Sequence, residues 1–250
     1  MLDAFFGGSA NMEVRSKFFA RSALIMLAMV IIAFPYTYFA PVLTGSDHFP
    51  PIYHIHGLFF FGWMGLYAWQ THLVATGRTA RHRELGLAGI AISALMVPLG
   101  IILAIEAIQR RTAAGNPHPF DNTLYNVIDI TSFAVLMIAA IASVTRHLDW
   151  HRRFTFGAAV ALVGPAISRW FLNAWFITVP AAPPFTDWAP NLTADLFLIA
   201  LVLHDRRVLG RVHPATLCLC AVLIPIHLVT PFLTGSDWWR GIAPLITKLG

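Results

Sequence analysis

Seven stretches of this chain are apolar over a length that matches the thickness of a lipid bilayer, near residues 18–40, 52–75, 84–108, 122–146, 154–179, 187–204 and 214–234. A helix rises 1.5 Å per residue, so a span takes roughly 20 residues. Only 12% of the 250 residues are charged and 57% are hydrophobic. That is about half the charge of an ordinary soluble domain, too little polar surface to cover a particle in water. The reading is an all-α, polytopic transmembrane helix bundle of about seven helices, forming one domain over 1–250, with the lipid bilayer as its first partner. The sixth run is the weakest, because Pro190, Asn191 and Asp195 interrupt it. The first run comes after Arg15, Lys17 and Arg21 and continues through Pro35 and Tyr36 without a small-residue cleavage site, so it reads as an uncleaved span.

The basic residues alternate with these runs. Arg15, Lys17 and Arg21 stand at the start of the first run, and Arg78, Arg81 and Arg83 come after the second. Arg146 ends the fourth, with Arg152 and Arg153 beyond it, and Arg206, Arg207 and Arg211 come after the sixth. These are twelve of the 17 Lys and Arg residues, all on one side of a seven-span topology. The other side carries Arg110, Arg111, Arg240 and Lys248, and Arg169 alone falls inside a span. The excess of positive charge places the N-terminus in the cytoplasm. It also accounts for the net charge of +5 without nucleic acid as a partner. The opposite loops are rich in proline and aromatic residues, among them Pro50, Pro51, Pro119, Phe120, Pro180, Pro183, Pro184 and Trp188, with Trp238 and Trp239 after the last run. That composition suits an interfacial belt.

Internal repetition is visible. Residues 41–47 read PVLTGSD and residues 231–237 read PFLTGSD. Arg81-His82-Arg83, His151-Arg152-Arg153 and Arg211-Val212-His213 each open an odd-numbered run that carries a proline further on, at Pro98, Pro165 and Pro225, and Pro35 holds the same place in the first run. These features predict helical hairpins of one ancestral plan with kinked odd helices, whose freed carbonyls need polar neighbours.

Function in such a chain is sought in polar groups inside the membrane, where they are costly. Counting from the basic anchors, Asp129 and Arg169 lie roughly 25 Å up, His227 roughly 21 Å and Asp195 roughly 16 Å. His54, His56 and Glu106 fall near the outer edge, with Asn126 and Asn173 at similar depth, whereas Gln70 and His72 sit low. Asp129, Arg169 and Asp195, with Glu106, are therefore expected to form a charge network or a proton path. The network reading pins helices together; the other reading is a polar chamber open to the outside that holds a small ligand, proton or cofactor.

Eleven histidines in so apolar a chain bring cofactors into view. His54, His56, His72 and His227 are the candidate ligands. His54 and His72 lie 18 residues apart on one helical face, which would suit two stacked haems of the b type. A metal held across helices by one of His54 and His56, with His227 and a carboxylate, is the weaker alternative, since no HxxxH or HExxH pair is present. Five histidines, His82, His147, His151, His204 and His213, lie in or beside basic loops, where contact with anionic headgroups explains them.

His54-Ile55-His56-Gly57, Gln70-Thr71, His82-Arg83-Glu84-Leu85-Gly86, His151-Arg152-Arg153-Phe154, Ser168-Arg169-Trp170 and Gly210-Arg211-Val212-His213-Pro214 together resemble an uncharacterised family of bacterial multi-pass membrane proteins. The resemblance implies a bacterial inner-membrane location and no particular reaction. The functional expectation is an outward-facing polar cavity that binds a small ligand or cofactor, with b-type haem redox as its enzymatic version. A transporter or channel-like protein, and an accessory structural subunit working with other membrane subunits, stay open as alternatives.

Overall fold

The computed structural model describes the backbone of residues 3–176 and 184–249, and side chains within 17–171 and 185–248. Pro180 and Pro183 of the expected outer loop, and the side chains of Arg15, Asn173 and Pro184, lie outside the described residues. Among the described residues the chain is all-α. Seven helices run twenty residues or more: α1 (Asp3–Ala33), α3 (Pro51–Ala75), α4 (Thr79–Ala113), α5 (Thr123–Ser143), α6 (Leu148–Phe176), α7 (Ala189–Leu209) and α8 (Pro214–Leu233). A π-turn at Pro35–Phe39 and the short α2 (Ala40–Thr44) extend α1, and α9 (Asp237–Ile242) comes after α8.

Five segments are long and apolar enough to cross a membrane: Lys17–Thr44, Thr79–Ala113, Thr123–Ser143, Leu148–Phe171 and Pro214–Leu233. The two long helices that fall short are α3 and α7, and both carry polar side chains. α3 carries His54, His56, Gln70 and His72, and α7 carries Asp195, His204, Asp205, Arg206 and Arg207. The interruptions expected to weaken the sixth run do not break α7. Pro190 falls in its first turn, where a missing N–H costs nothing, and Asn191 and Asp195 turn inward and are buried.

α6 is the hub. It packs against α1, α5, α7 and α8, while α3 joins α1 to α4 and α4 closes onto α5. Small residues set the closest approaches, as expected where lipid offers no hydrophobic drive between helices. A Cβ at Gly157 on α6 would collide with Leu219 of α8, and one at Gly100 on α4 would lie 2.7 Å from the Ile130 side chain of α5. The core between them is large and apolar: Phe19, Met26, Phe133, Phe156, Leu198 and Leu223 are almost wholly enclosed.

The expected prolines lie inside helices at Pro98, Pro165 and Pro225, with Pro231 in addition. Pro35 instead opens a π-turn, in which the Phe39 N–H bonds the Phe34 carbonyl. The two PxLTGSD copies fold differently. In the first, Gly45 takes a left-handed φ of 68° and closes α2. In the second, Ser236 caps a new helix by accepting the Trp239 N–H at 3.2 Å. The residues after each motif decide the outcome: Phe49-Pro50 stops a helix, whereas Trp238-Trp239-Arg240 continues one. Trp239 then buries against Leu124, and its indole N–H donates to the Phe120 carbonyl.

One basic residue departs from the expected loop position. Arg153 is fully buried rather than facing headgroups. It forms an ion pair with Asp205 of α7, donates to Thr216 of α8 at 3.0 Å and to the Asp149 carbonyl at 3.1 Å. Asp205 also accepts the Thr216 hydroxyl at 2.5 Å and the His213 N–H at 3.1 Å. Every strong donor and acceptor of this node is satisfied, which is the condition under which a buried pair is tolerated.

Candidate functional site: a polar cavity

A cavity of about 470 Å³ opens between α5, α6, α7 and the segment that precedes α7. α5 lines it with Asn122, Tyr125, Asn126 and Asp129, three of which recur at the spacing of one helical face. α6 supplies Gly164, Pro165, Ser168 and Arg169, and α7 supplies Asn191 from its first turn. Thr186 and Asp187 close one wall. Tyr125 reaches across and donates its hydroxyl to the Asp187 carbonyl at 3.2 Å. Partial burial raises the Asp187 carboxyl above its ordinary value. A Cβ at Gly164 would collide with the Asn191 amide oxygen, so that side chain would have to move.

A carboxyl and a guanidinium face this space without meeting. The Arg169 guanidinium donates to the Pro165 carbonyl, one of the acceptors near a helix proline, and stacks over the Phe34 ring at 4.3 Å. Asp129 is buried, and among the described residues it has neither an ion-pair nor a hydrogen-bond partner. The expected Asp129–Arg169–Asp195 triad does not form. Asp195 is bound elsewhere, to the His227 ring at 2.8 Å, in a buried pair between α7 and α8. Its second oxygen, Oδ2, is buried without a partner. Asp195 sits one turn along α7 from Asn191, directly below the cavity wall. Glu106 is partly buried on α4 and does not line the cavity.

The four candidate histidine ligands do not converge. His54 is exposed, and its ring hydrogen-bonds the Tyr38 hydroxyl at 2.5 Å. His56 stacks on Phe60, with its Nδ1 buried and unpartnered. His72 is exposed at the other end of α3, against Trp69. His227 is on α8, which packs on α7 and α6, whereas α3 packs on α1 and α4. Among the described residues no three His, Cys, Asp or Glu side chains come close enough to hold a metal. The haem and metal readings therefore have no geometric support from these residues.

No protein-family model, curated protein or solved structure matches this chain. The chemistry of the cavity is what points to function.

Sequence reasoning named Asp129, Arg169 and Asn126 but missed Tyr125, Asn191 and Asp187 as their companions. The signal for Tyr125 was available, since Tyr125, Asn126 and Asp129 share a face. Asn191 and Asp187 become part of the site only through the packing of α7 against Gly164, which no linear pattern displays. The loop histidines have particular partners too: His213 caps α8 by accepting the Ala215 N–H at 3.1 Å, and His204 stacks on Phe18 with centroids 4.1 Å apart.

Proposed function

We propose that this is a seven-span bacterial inner-membrane protein, N-terminus in the cytoplasm, whose outer cavity binds a small polar solute carrying both charges, such as an amino acid or a betaine. The observation that carries this reading is the pair Asp129 and Arg169: a carboxyl and a guanidinium line a single cavity and form no ion pair with each other. A buried, unpaired carboxylate is costly. A solute's ammonium on Asp129 and its carboxylate on Arg169 would relieve that cost, and Asn126, Ser168 and Asn191 offer neutral hydrogen bonds between them. The volume of about 470 Å³ lies within the range of roughly 300–1,000 Å³ of small-molecule sites.

The orientation draws support from the arginines of the proline-rich side. Arg110 pairs with Asp47 at 3.4 Å, Arg240 with Asp121 at 2.7 Å, and Arg111 donates to Thr123 and to the Asp121 carbonyl. Charges neutralised in this way are weak orientation signals. Arg78, Arg81, Arg83, Arg206 and Arg207 at the other end are exposed or partly so, and they are the charges that hold a topology.

Transport of that solute is the second reading, favoured by the order of residues on α5. Asp129 lines the outer cavity, Phe133 one turn on is buried, and Met137 a further turn on lines a second cavity at the inner end. An accessory structural subunit has less support, because that role calls for a satisfied charge network and no cavity.

The test is thermal melting of the purified protein in mild detergent with neutral amino acids and glycine betaine. A ligand that binds only the folded state raises the melting temperature as its concentration exceeds Kd. At least one zwitterion should do so, and Asp129→Asn and Arg169→Gln, each still folded, should not respond to it. No shift across the panel would refute the reading.

A further inference from the structure

The second cavity occupies about 270 Å³ at the inner end, between α3, α4, α5 and α6. Its walls are apolar, but three buried polar atoms among its lining residues have no hydrogen-bond partner: the Tyr67 hydroxyl, Gln70 Oε1 and His82 Nδ1. Tyr67 is only 6% exposed. Buried polar groups are almost always satisfied, and each orphan costs on the order of 1–3 kcal/mol. Three orphans around one space indicate that something else satisfies them. His151 also lines the space and is positioned for it, because its Nδ1 is engaged by the Ala140 carbonyl at 2.9 Å, which fixes the ring.

The cavity opens towards lipid. α4 and α5 run antiparallel and touch at Gly100 and Ile130. That register places residue 89 opposite 141 and residue 86 opposite 144, and all four line the cavity. The two helices are thus closed at the outer half and parted at the inner half. Leu87 and Val144, on either side of the gap, line the cavity and are also exposed on the surface that faces the bilayer, Leu87 by 74%. A molecule dissolved in the membrane has direct entry between α4 and α5.

Chemistry narrows the occupant. Tyr67 offers a hydroxyl donor, Gln70 a carbonyl acceptor and His82 a ring nitrogen. Trp63 stacks on Tyr67, with centroids 5.5 Å apart and planes at 11°, and provides a flat wall. No carboxylate lines the space, and its one cation, Arg83, is exposed at the rim. This set suits a neutral planar ring bearing oxygens better than an anionic headgroup, which needs several cations. The volume falls just below the range of roughly 300–1,000 Å³ for whole ligands, so the ring enters and the rest of the molecule stays outside. We propose that the inner cavity binds the headgroup of a lipid-soluble quinone, ring against Trp63 and one oxygen accepting from the Tyr67 hydroxyl, with its isoprenoid tail leaving between α4 and α5.

The experiment uses the full chain in lipid nanodiscs, with a one-isoprenoid benzoquinone and a one-isoprenoid naphthoquinone as probes. Both quench tryptophan fluorescence on contact. Saturable quenching by at least one is expected, lost when Trp63→Phe removes the reporter. Tyr67→Phe, which deletes only the hydroxyl, should weaken binding about five- to tenfold, the equivalent of one lost hydrogen bond. Asp129→Asn, in the outer cavity, should leave it unchanged, so failure here and failure of the outer-site reading are separable. Should Tyr67→Phe not fold, an azidoquinone crosslink in the native protein decides instead, with adducts expected on 86–90 or 141–144. Unsaturable quenching, full affinity in Tyr67→Phe, or crosslinks elsewhere would overturn the proposal. So would displacement of the probe by anionic phospholipid, which would assign the cavity to a headgroup.

Discussion

Phe133 of α5 meets Trp63 of α3 edge to face, with ring centroids 5.0 Å apart, and this contact stands between the outer cavity and the inner one. Phe133 lies one turn from Asp129 in one direction and one turn from Met137 in the other. Trp63 is held in place by its indole N–H, which donates to Ser93 of α4 at 2.8 Å. The aromatic pair is thus both a packing element and a partition. Phe133→Ala should destabilise the fold by about 3–5 kcal/mol, as large-to-small core changes do, read by unfolding in detergent. It should also expose Trp63 to a water-soluble quencher. A variant with unchanged stability and quenching would show that the two rings do not bear on the partition.

Gly164 and Asn191 meet in the outer cavity wall. Gly164→Ala should push the Asn191 side chain from its position, costing about 1–3 kcal/mol, as overpacking does, and weakening any ligand of the cavity. Asn191→Ala in the same chain should restore much of the stability, because the two changes remove one collision. The coupling energy in a double-mutant cycle is the measurement, and simple additivity would contradict this account of the wall.

The Arg153–Asp205 node holds α6, α7 and α8 together at the inner end. Asp205→Asn or Arg153→Met alone leaves an uncompensated buried charge and should cost about 3–5 kcal/mol. Replacing both should cost less than the sum. Equilibrium unfolding of the two single variants and the double variant checks this, and an additive loss would mean that the two side chains act independently.

Asp121 anchors the C-terminal segment through Arg240, at 2.7 Å and 3.0 Å. The hydrogen bond and charge of Arg240 hold the Asp121 carboxyl below its ordinary range. A depressed carboxyl stabilises the fold above its unfolded pKa, about 3.9 for Asp, and that contribution disappears as pH falls through the lower folded value. Both side chains are partly exposed, so salt should weaken the link. Acidification below about pH 4 should therefore loosen α9, seen as a change in Trp238 and Trp239 emission. Asp121→Asn should show the loosened signal already at neutral pH. An acid-insensitive signal would contradict the anchor.

The sequence disclosed the architecture because lipid imposes a coarse rule: each bilayer-length apolar run becomes a helix. All seven runs coincide with long helices, to within a few residues at most ends. Apolarity alone separates five of them from α3 and α7, which tolerate His56, Gln70, Asp195 and Asp205 because those side chains turn toward other helices. Asp129 and Arg169, expected at similar height, do line one cavity. Partnership was not legible. Asp195 pairs with His227 rather than Arg169, and Arg153 is a core residue rather than an orientation charge. Those choices depend on how α6, α7 and α8 rotate about their axes, which is set by close contacts such as Gly157 with Leu219. Histidine count misled for a related reason: His54, His56, His72 and His227 are distributed over helices that the packing holds apart.

The central claim is that the polar cavity faces outward, away from the basic end, and substituted-cysteine labelling in intact cells tests it most directly. With Cys218 and Cys220 replaced by Ser, Asn126→Cys in the outer cavity and Arg146→Cys at the basic end would each be treated with a membrane-impermeant maleimide. The account predicts that Asn126→Cys reacts from outside the intact cell, whereas Arg146→Cys reacts only after the membrane is opened. Labelling of Arg146→Cys in intact cells, with Asn126→Cys protected until lysis, would contradict it.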